Sequence, residues 1–257
     1  MRTNRRQRHL ASFFGLSPGV RAIHVLLSRF QPEKDVEQLA GGVPSSGYVG
    51  ETVAVDEFLG AQAVRDLFDA TWVVASLASI MDGLMSGKRD FGRIDVTVSP
   101  VASPETSPET SRETSPVIPP ATGTIILMGT GAKESNELAE ELLGGDPHNS
   151  VYRFVKDERG RAFERMAVRG YSELKYYASD YPADELAVLQ RVTAKDGRVT
   201  FLCAGKDVSG SRMVAEFLAW NWDSLYEEFR GRNNGDFARL YAFRQSFRAA
   251  TIVDTVR

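Results

Sequence analysis

Thr124-Ile125-Ile126-Leu127-Met128 runs straight into Gly129-Thr130-Gly131-Ala132-Lys133-Glu134-Ser135-Asn136, and from Glu137 to Leu143 the apolar residues take up helical spacing. The same grammar returns as Val199-Thr200-Phe201-Leu202-Cys203-Ala204, then Gly205-Lys206-Asp207-Val208-Ser209-Gly210-Ser211-Arg212, then a helical pattern from Met213. A short apolar run bounded by glycine reads as a buried strand, and the polar glycine loop behind it as a turn into a helix. Strands alternating with helices in this way predict an α/β fold whose sheet is mostly parallel, with helices on both faces. In such folds the backbone N–H groups of each turn point beyond the carboxyl end of the strand, where ligands collect.

Working outward, Ser99 to Thr122 carries Ser-Pro-Glu-Thr at 103–106 and again at 107–110, a proline-rich polar stretch read as a linker or insert. It divides the chain into residues 1–98, a degenerate N-terminal α/β half, and residues 123–257, a C-terminal half with a helical C-terminus. In the first half Ala22 to Leu27 reads as a strand and Ile94 to Val98 as another. Between them Asp56 opens a pattern in which Phe58, Leu59, Ala63, Leu67 and Phe68 fit one helical face, with an acidic first turn that suits the dipole. Trp72 to Met85 is apolar almost throughout and is left open between one buried helix and a strand with a helix. In the second half a hairpin is expected over Val151 to Val155 and Phe163 to Val168. A short helix is expected over Asp184 to Val192, a long one from about Ser211 to Arg230, and a last one over Phe237 to Phe247. The two halves share an order of elements, although their sequence identity is too slight to claim duplication.

With 257 residues, 42% of them hydrophobic, the chain can bury a substantial core. Thirty-one basic residues balance thirty-four acidic ones, a net charge of −3, so nucleic acid is not an expected partner. The basic residues Arg2, Arg5, Arg6 and Arg8 read as a solvated tail, with a phosphate-touching arm as the alternative. No run approaches the length of a membrane span and no signal peptide is visible, so no membrane partner and a cytoplasmic location are expected. One cysteine, Cys203, and three histidines, His9, His24 and His148, leave no Cys/His metal cage; carboxylate-bound Mg2+ stays open, and no metal or cofactor is assigned.

The first loop begins like a dinucleotide fingerprint but has Glu134 where the third glycine belongs, and Glu134 and Glu137 would repel a pyrophosphate. Those carboxylates suit a ribose hydroxyl, a base amine or the helix dipole, and are the catalytic candidates of the chain. The second loop has the glycine spacing of a phosphate cradle, yet Ser211 and Arg212 stand where lysine and Ser/Thr would be needed for NTP hydrolysis. Lys206, Ser209, Ser211 and Arg212, with the helix amides, form a set of donors for an anion. Cys203 reads as a buried small hydrophobe and His24 as a packed strand residue. The polar aromatic stretch from Ser172 to Tyr181 reads as a lid or as a surface segment on the sheet edge. Arg239, Arg244 and Arg248 read as a solvent-facing stripe of the last helix.

On these two strand–loop–helix units, residues 122 to 230 resemble the Rossmann-like nucleotide-sensing domains of bacterial signalling and antiviral systems. The resemblance implies a small nucleotide-like ligand at the carboxyl edge of the sheet. Gly129, Gly131, Ser135 and Asn136 would lie on one side of it, and Gly205, Lys206, Ser209, Gly210, Ser211 and Arg212 on the other. A sensor or regulatory module is the leading expectation. An enzyme cleaving a glycosidic bond with Glu134 or Glu137 is the alternative, beside a structural subunit. The aromatic helix 217–229 is the expected contact of a homo-oligomer or larger assembly.

Overall fold

A computed structural model describes residues 2–17, 21–27, 29–30, 52–53, 56–69, 94–100, 123–129, 151–157, 160–165, 175–177, 185–206, 208–231 and 235–256. The sheet at its centre is seven-stranded. Helix α1 (Arg2–Phe13) precedes β1 (Ala22–Leu27), and the short pair β2 (Arg29–Phe30) and β3 (Thr52–Val53) leads to α2 (56–69). Strands β4 (Asp95–Pro100) and β5 (Thr124–Met128) follow. A separate three-stranded sheet comprises β6 (Tyr152–Asp157), β7 (Gly160–Arg165) and β8 (Lys175–Tyr177). The chain then returns through β9 (Glu185–Thr193), β10 (Val199–Gly205), α3 (Val208–Phe229), β11 (Phe237–Phe243) and β12 (Ala250–Val256).

The order across the large sheet is β12-β11-β9-β10-β5-β1-β4. Strands β10, β5, β1 and β4 are parallel neighbours, whereas β9, β11 and β12 join by antiparallel pairing. The fold is therefore α/β with a mixed sheet, and the expectation of a mostly parallel one is corrected. The cause lies in two segments read as helices. Glu185–Thr193 is a strand between β10 and β11, buried at every position from Leu186 to Arg191. Phe237–Phe243 is buried at all seven positions between β9 and β12. A strand buried on both faces loses its alternation, and its continuous apolar run cannot be told from a helix by period. The helical C-terminus is likewise replaced by the β11–β12 hairpin, whose pairing slips by one residue at Leu240/Tyr241, a β-bulge that leaves Val253 as the extra residue.

All three described helices pack on one face, so helices on both faces are not found among the described residues. Strand alternation separates the two faces. Ile23, Val25, Leu27, Ile126, Met128, Phe201 and Cys203 pack with Leu10, Phe13 and Phe14 of α1, Ala61, Val64 and Phe68 of α2, and Val214, Leu218 and Trp222 of α3. Leu26, Ile125, Leu127 and Leu202 point the other way, as do Val188 and Leu240, which meet Val151 and Tyr152. Phe14 lies 4.9 Å from Phe68 and 5.1 Å from Phe201, ring centre to ring centre. Full burial of each such ring contributes about 1.5–3 kcal/mol.

The helix ends follow from local chemistry. Gly15 takes a left-handed φ of 64° after α1, and Leu16 N–H reaches back to Ala11 C=O at 2.7 Å, which closes the helix and turns the chain toward β1. In α3, Val214, Ala215, Leu218, Ala219, Trp222, Leu225 and Phe229 recur at three and four residues and are buried. Gly231, at φ 78°, ends it.

Helix α2 lies where its sequence places it, but its buried face differs from the expected one. Phe58 and Leu59 are exposed, while Glu57, Gly60, Ala61, Val64 and Phe68 face inward. The contact with α3 explains the rotation. A Cβ on Gly60 would stand 3.1 Å from the Cα of Arg212 and 3.2 Å from the Cβ of Ala215, so only a face of small residues fits against that helix.

Candidate functional site

Strands β1, β5 and β10 end at one rim, since Leu27 is level with Met128 and Met128 with Cys203. Both long helices start at that rim. The first turn of α3 follows directly from β10, and Gly60 near the start of α2 touches the end of the Met128 side chain. At their far ends Phe68 packs on Phe14, and Phe229 stacks on Phe237 at 4.2 Å. Two helix N-termini, with their partial positive charge, therefore meet beyond the carboxyl ends of parallel strands.

The strand order marks one point on this rim. After β1 the next strand of the sheet is β4, on one side, and after β5 the next is β9, on the other. Connections that diverge from two adjacent parallel strands leave a crevice between the strand ends, the switch point where open α/β sheets hold ligands. Here that gap lies between Leu27 and Met128.

Strands β5 and β10 are adjacent, so Gly129 and the loop from Gly205 to Arg212 share this rim. Gly131, Ser135 and Asn136, with Glu134 and Glu137, lie outside the described residues. Three of the described amides at this rim are bonded within the chain. Gly129 N–H donates to Cys203 C=O at 3.3 Å, and Lys206 N–H to Leu186 C=O at 2.7 Å. Gly205 N–H donates to the fully buried Ser211 Oγ at 2.9 Å.

Gly210 is required by packing, because a Cβ there would stand 3.0 Å from Gly205 Cα and 3.1 Å from the Leu186 carbonyl. Ser209 is half-buried at the start of α3. Arg212 donates to Glu216 at 2.8 Å and to Asp56 at 3.1 Å. Its pKa is raised, first by the bond to Glu216 and then by that to Asp56. The guanidinium thus ties the start of α3 to the start of α2.

At the rim itself the one cysteine is closed off. Cys203 is fully buried, and burial pushes its thiol up to about 12. His24 sits within β1 and shares a hydrogen bond with Thr97 Oγ1 at 2.7 Å. Of the Ser172–Tyr181 stretch, Lys175–Tyr177 is described and forms β8, paired with β7. Of the expected solvent stripe, Arg244 and Arg248 are exposed, but Arg239 is buried. It reaches Glu228 at 2.5 and 3.1 Å and lies over the Phe229 ring. The basic head is the helix α1, in which Arg6 meets Asp223 at 3.7 Å.

A cavity of about 150 Å3 opens at the opposite rim among Ser12, Phe13, Arg191, Tyr226, Phe229 and Arg230. Its two cations are paired, Arg191 with Asp236 at 2.7 Å and Arg230 with Glu227 at 2.7 Å. The C-terminal end of α3 adds negative potential there, so it does not favour an anion.

Sequence reasoning gave Asp56 only the helix dipole and foresaw neither its ion pair with Arg212 nor the burial of Glu57. The signal was present in two adjacent acids placed three and four residues before Gly60. Among the described residues no group of three or more His, Cys, Asp or Glu is placed to hold a metal ion, and no helix is long and apolar enough to cross a membrane. Compared with known proteins, the chain matches no family model, no curated protein and no solved structure.

Proposed function

We infer that the chain is a binding module for a small nucleotide-like molecule, acting as a sensor or regulatory component, with its site at the carboxyl rim between β1 and β5. The observation that carries this reading is the divergence of the chain on either side of that pair, with the starts of α2 and α3 converging above it. The resemblance of the two strand–loop–helix units to bacterial nucleotide-sensing domains supplies the ligand class.

The test is a thermal melt of the full chain with nucleosides, nucleoside mono- and triphosphates, cyclic nucleotides and dinucleotides in turn. A ligand that binds only the folded state at a hundred times its Kd adds about 2.7 kcal/mol. For a chain of this size that raises Tm by about 5 °C or more. No shift with any member of the panel, on protein shown to be folded, would overturn the reading.

A further inference from the structure

We propose that the face of the large sheet turned away from the three helices binds a tetrahedral oxyanion of the phosphate class, with Arg198 and Thr200 as its donors and the His24 ring as the far wall. This site is independent of the carboxyl rim, because it lies near the opposite end of the same parallel strands.

Strand alternation brings these residues together. Phe201 and Cys203 of β10 face the helices, so Thr200 and Arg198 face away with Leu202. On β1, Ile23 and Val25 face the helices, and His24 points away with Leu26. Thr200 is level with Ile125 of β5, and Ile125 with His24. Two residues earlier, the same register brings Arg198 beside Gly123. Thr200 and His24 are thus two strand spacings apart, about 9.6 Å. Gly123 lets that gap narrow. A Cβ there would stand 3.1 Å from both Nε2 and Cδ2 of His24, so the ring leans over β5 only because position 123 has no side chain. Thr97 Oγ1 on β4 holds Nδ1 at 2.7 Å, which leaves the Nε2 edge turned toward β10. His24 has further contacts within the chain, and the anion requires it only as a polar wall.

The donors are on β10 and just before it. Thr200 is 2% exposed, and its hydroxyl is buried with no hydrogen-bond partner among the described residues, as is Nε of Arg198. Native chains rarely leave such groups unanswered. Among the described residues no carboxylate pairs with the Arg198 guanidinium. Asp196 accepts from the Arg198 backbone N–H at 2.9 Å instead, and Asp95, exposed on β4, is three strands away from β10. A water would satisfy the hydroxyl and leave the charge unbalanced, whereas an anion answers both. Donors that approach along one strand, with a ring facing them across β5, suit diverging oxygens better than the flat pair of a carboxylate. Arg198 and His24 are half-buried and Thr97 is exposed, so solvent reaches this end of the face and an ion can enter.

The experiment is isothermal calorimetry on the full chain with inorganic phosphate, sulfate, glycerol phosphate and acetate, each to about 10 mM, enough to detect a Kd of about 1 mM. Phosphate is expected to bind. Arg198→Gln should weaken it about tenfold or more, and Thr200→Val about threefold or more, with melts showing that both variants are folded. Binding of glycerol phosphate as well as phosphate identifies a phosphomonoester site, and binding of phosphate and sulfate alone identifies a site for the free ion; both outcomes support the shared chemistry. No heat from phosphate, sulfate or glycerol phosphate on folded wild-type chain overturns the proposal, as does acetate binding as tightly as phosphate. Unchanged phosphate affinity in folded Arg198→Gln places the anion elsewhere and overturns it too, even where Thr200→Val does not fold. A Thr200→Val variant that melts higher and keeps full phosphate affinity shows a hydroxyl that was merely unsatisfied, and has the same effect.

Discussion

Cys203 illustrates how one buried atom can report on the whole molecule. Its thiol is raised from an ordinary value of 9.0 to about 12 because burial disfavours the thiolate. The folded state therefore holds this proton over a pH range in which the unfolded chain releases it. The resulting stability is fully present below about pH 9 and is lost as pH rises toward about 12. Two measurements check this. A thiol reagent at pH 8 should label the native chain far more slowly than the denatured one. In addition, stability followed by denaturant titration between pH 9 and 11 should fall less steeply in Cys203→Ala than in the wild-type chain. Rapid native labelling would place the thiol in contact with solvent. Gly60 is the other telling residue. In Gly60→Val the new side chain meets backbone of α3 at Arg212, and overpacking of this kind costs about 1–3 kcal/mol. It should also displace the first turn of α2 and weaken any ligand held at the carboxyl rim of the sheet. A variant with unchanged stability would show that the two helices are not in this close contact.

At the scale of elements, α3 separates two tryptophans that the sequence presents as equals. Trp222 is 2% exposed and packs in the core, whereas Trp220 is 64% exposed beside Phe247 and under the Arg248 guanidinium. Trp222→Ala should cost about 3–5 kcal/mol, while Trp220→Gln should stay within about 0.5 kcal/mol, both read from urea unfolding. Comparable losses at the two sites would contradict the placement of the helix. The heptad-like spacing of Val214, Leu218, Trp222, Leu225 and Phe229 made this helix legible, and the apolar runs of β1, β5 and β10 were equally plain. Strands β9 and β11 were not legible. Each is enclosed between two other strands, one its hairpin partner and the other, in the β9–β11 pairing, distant in the chain. The inward turn of α2 was hidden for a related reason. Phe58 and Leu59 are the more hydrophobic residues, but proximity to α3 selects the small ones. In the site, the glycine turn after β10 was readable, and so was the placing of β5 beside β10 at one rim. The use of their amides by Leu186, Ser211 and Cys203 depends on the third dimension.

The large sheet takes β1 and β4 from before the Ser-Pro-Glu-Thr repeats, with β4 running two residues past position 98, and its other five strands from after them. Strand β1 is flanked by β4 and β5, so a chain ending at residue 98 would leave one side of β1 unpaired and its apolar face open. Residues 1–98 alone are expected to lack the dispersed amide spectrum of a folded domain by NMR, and a well-folded fragment would make the two halves independent. A second tie spans the molecule at the amino-terminal rim. Arg191, 4% exposed, donates to Phe13 C=O at 2.9 Å and pairs with Asp236 at 2.7 Å, joining α1, β9 and the start of β11. Although burial lowers the Arg191 pKa, the Asp236 charge and hydrogen bond oppose that shift. Asp236→Ala should cost about 3–5 kcal/mol, the usual penalty when one partner of a buried pair is removed, and a melt unchanged by the substitution would show that the pair adds nothing.

The slip in pairing between β11 and β12 has a consequence at high protein concentration. Among the described residues β12 is an outermost strand, and a straight border of that kind would offer a template on which further molecules could add. The extra residue at Val253 puts the border out of step halfway along its length, so an incoming chain could match one half of it and would miss the other. Growth into ribbons is thereby frustrated at the first added molecule.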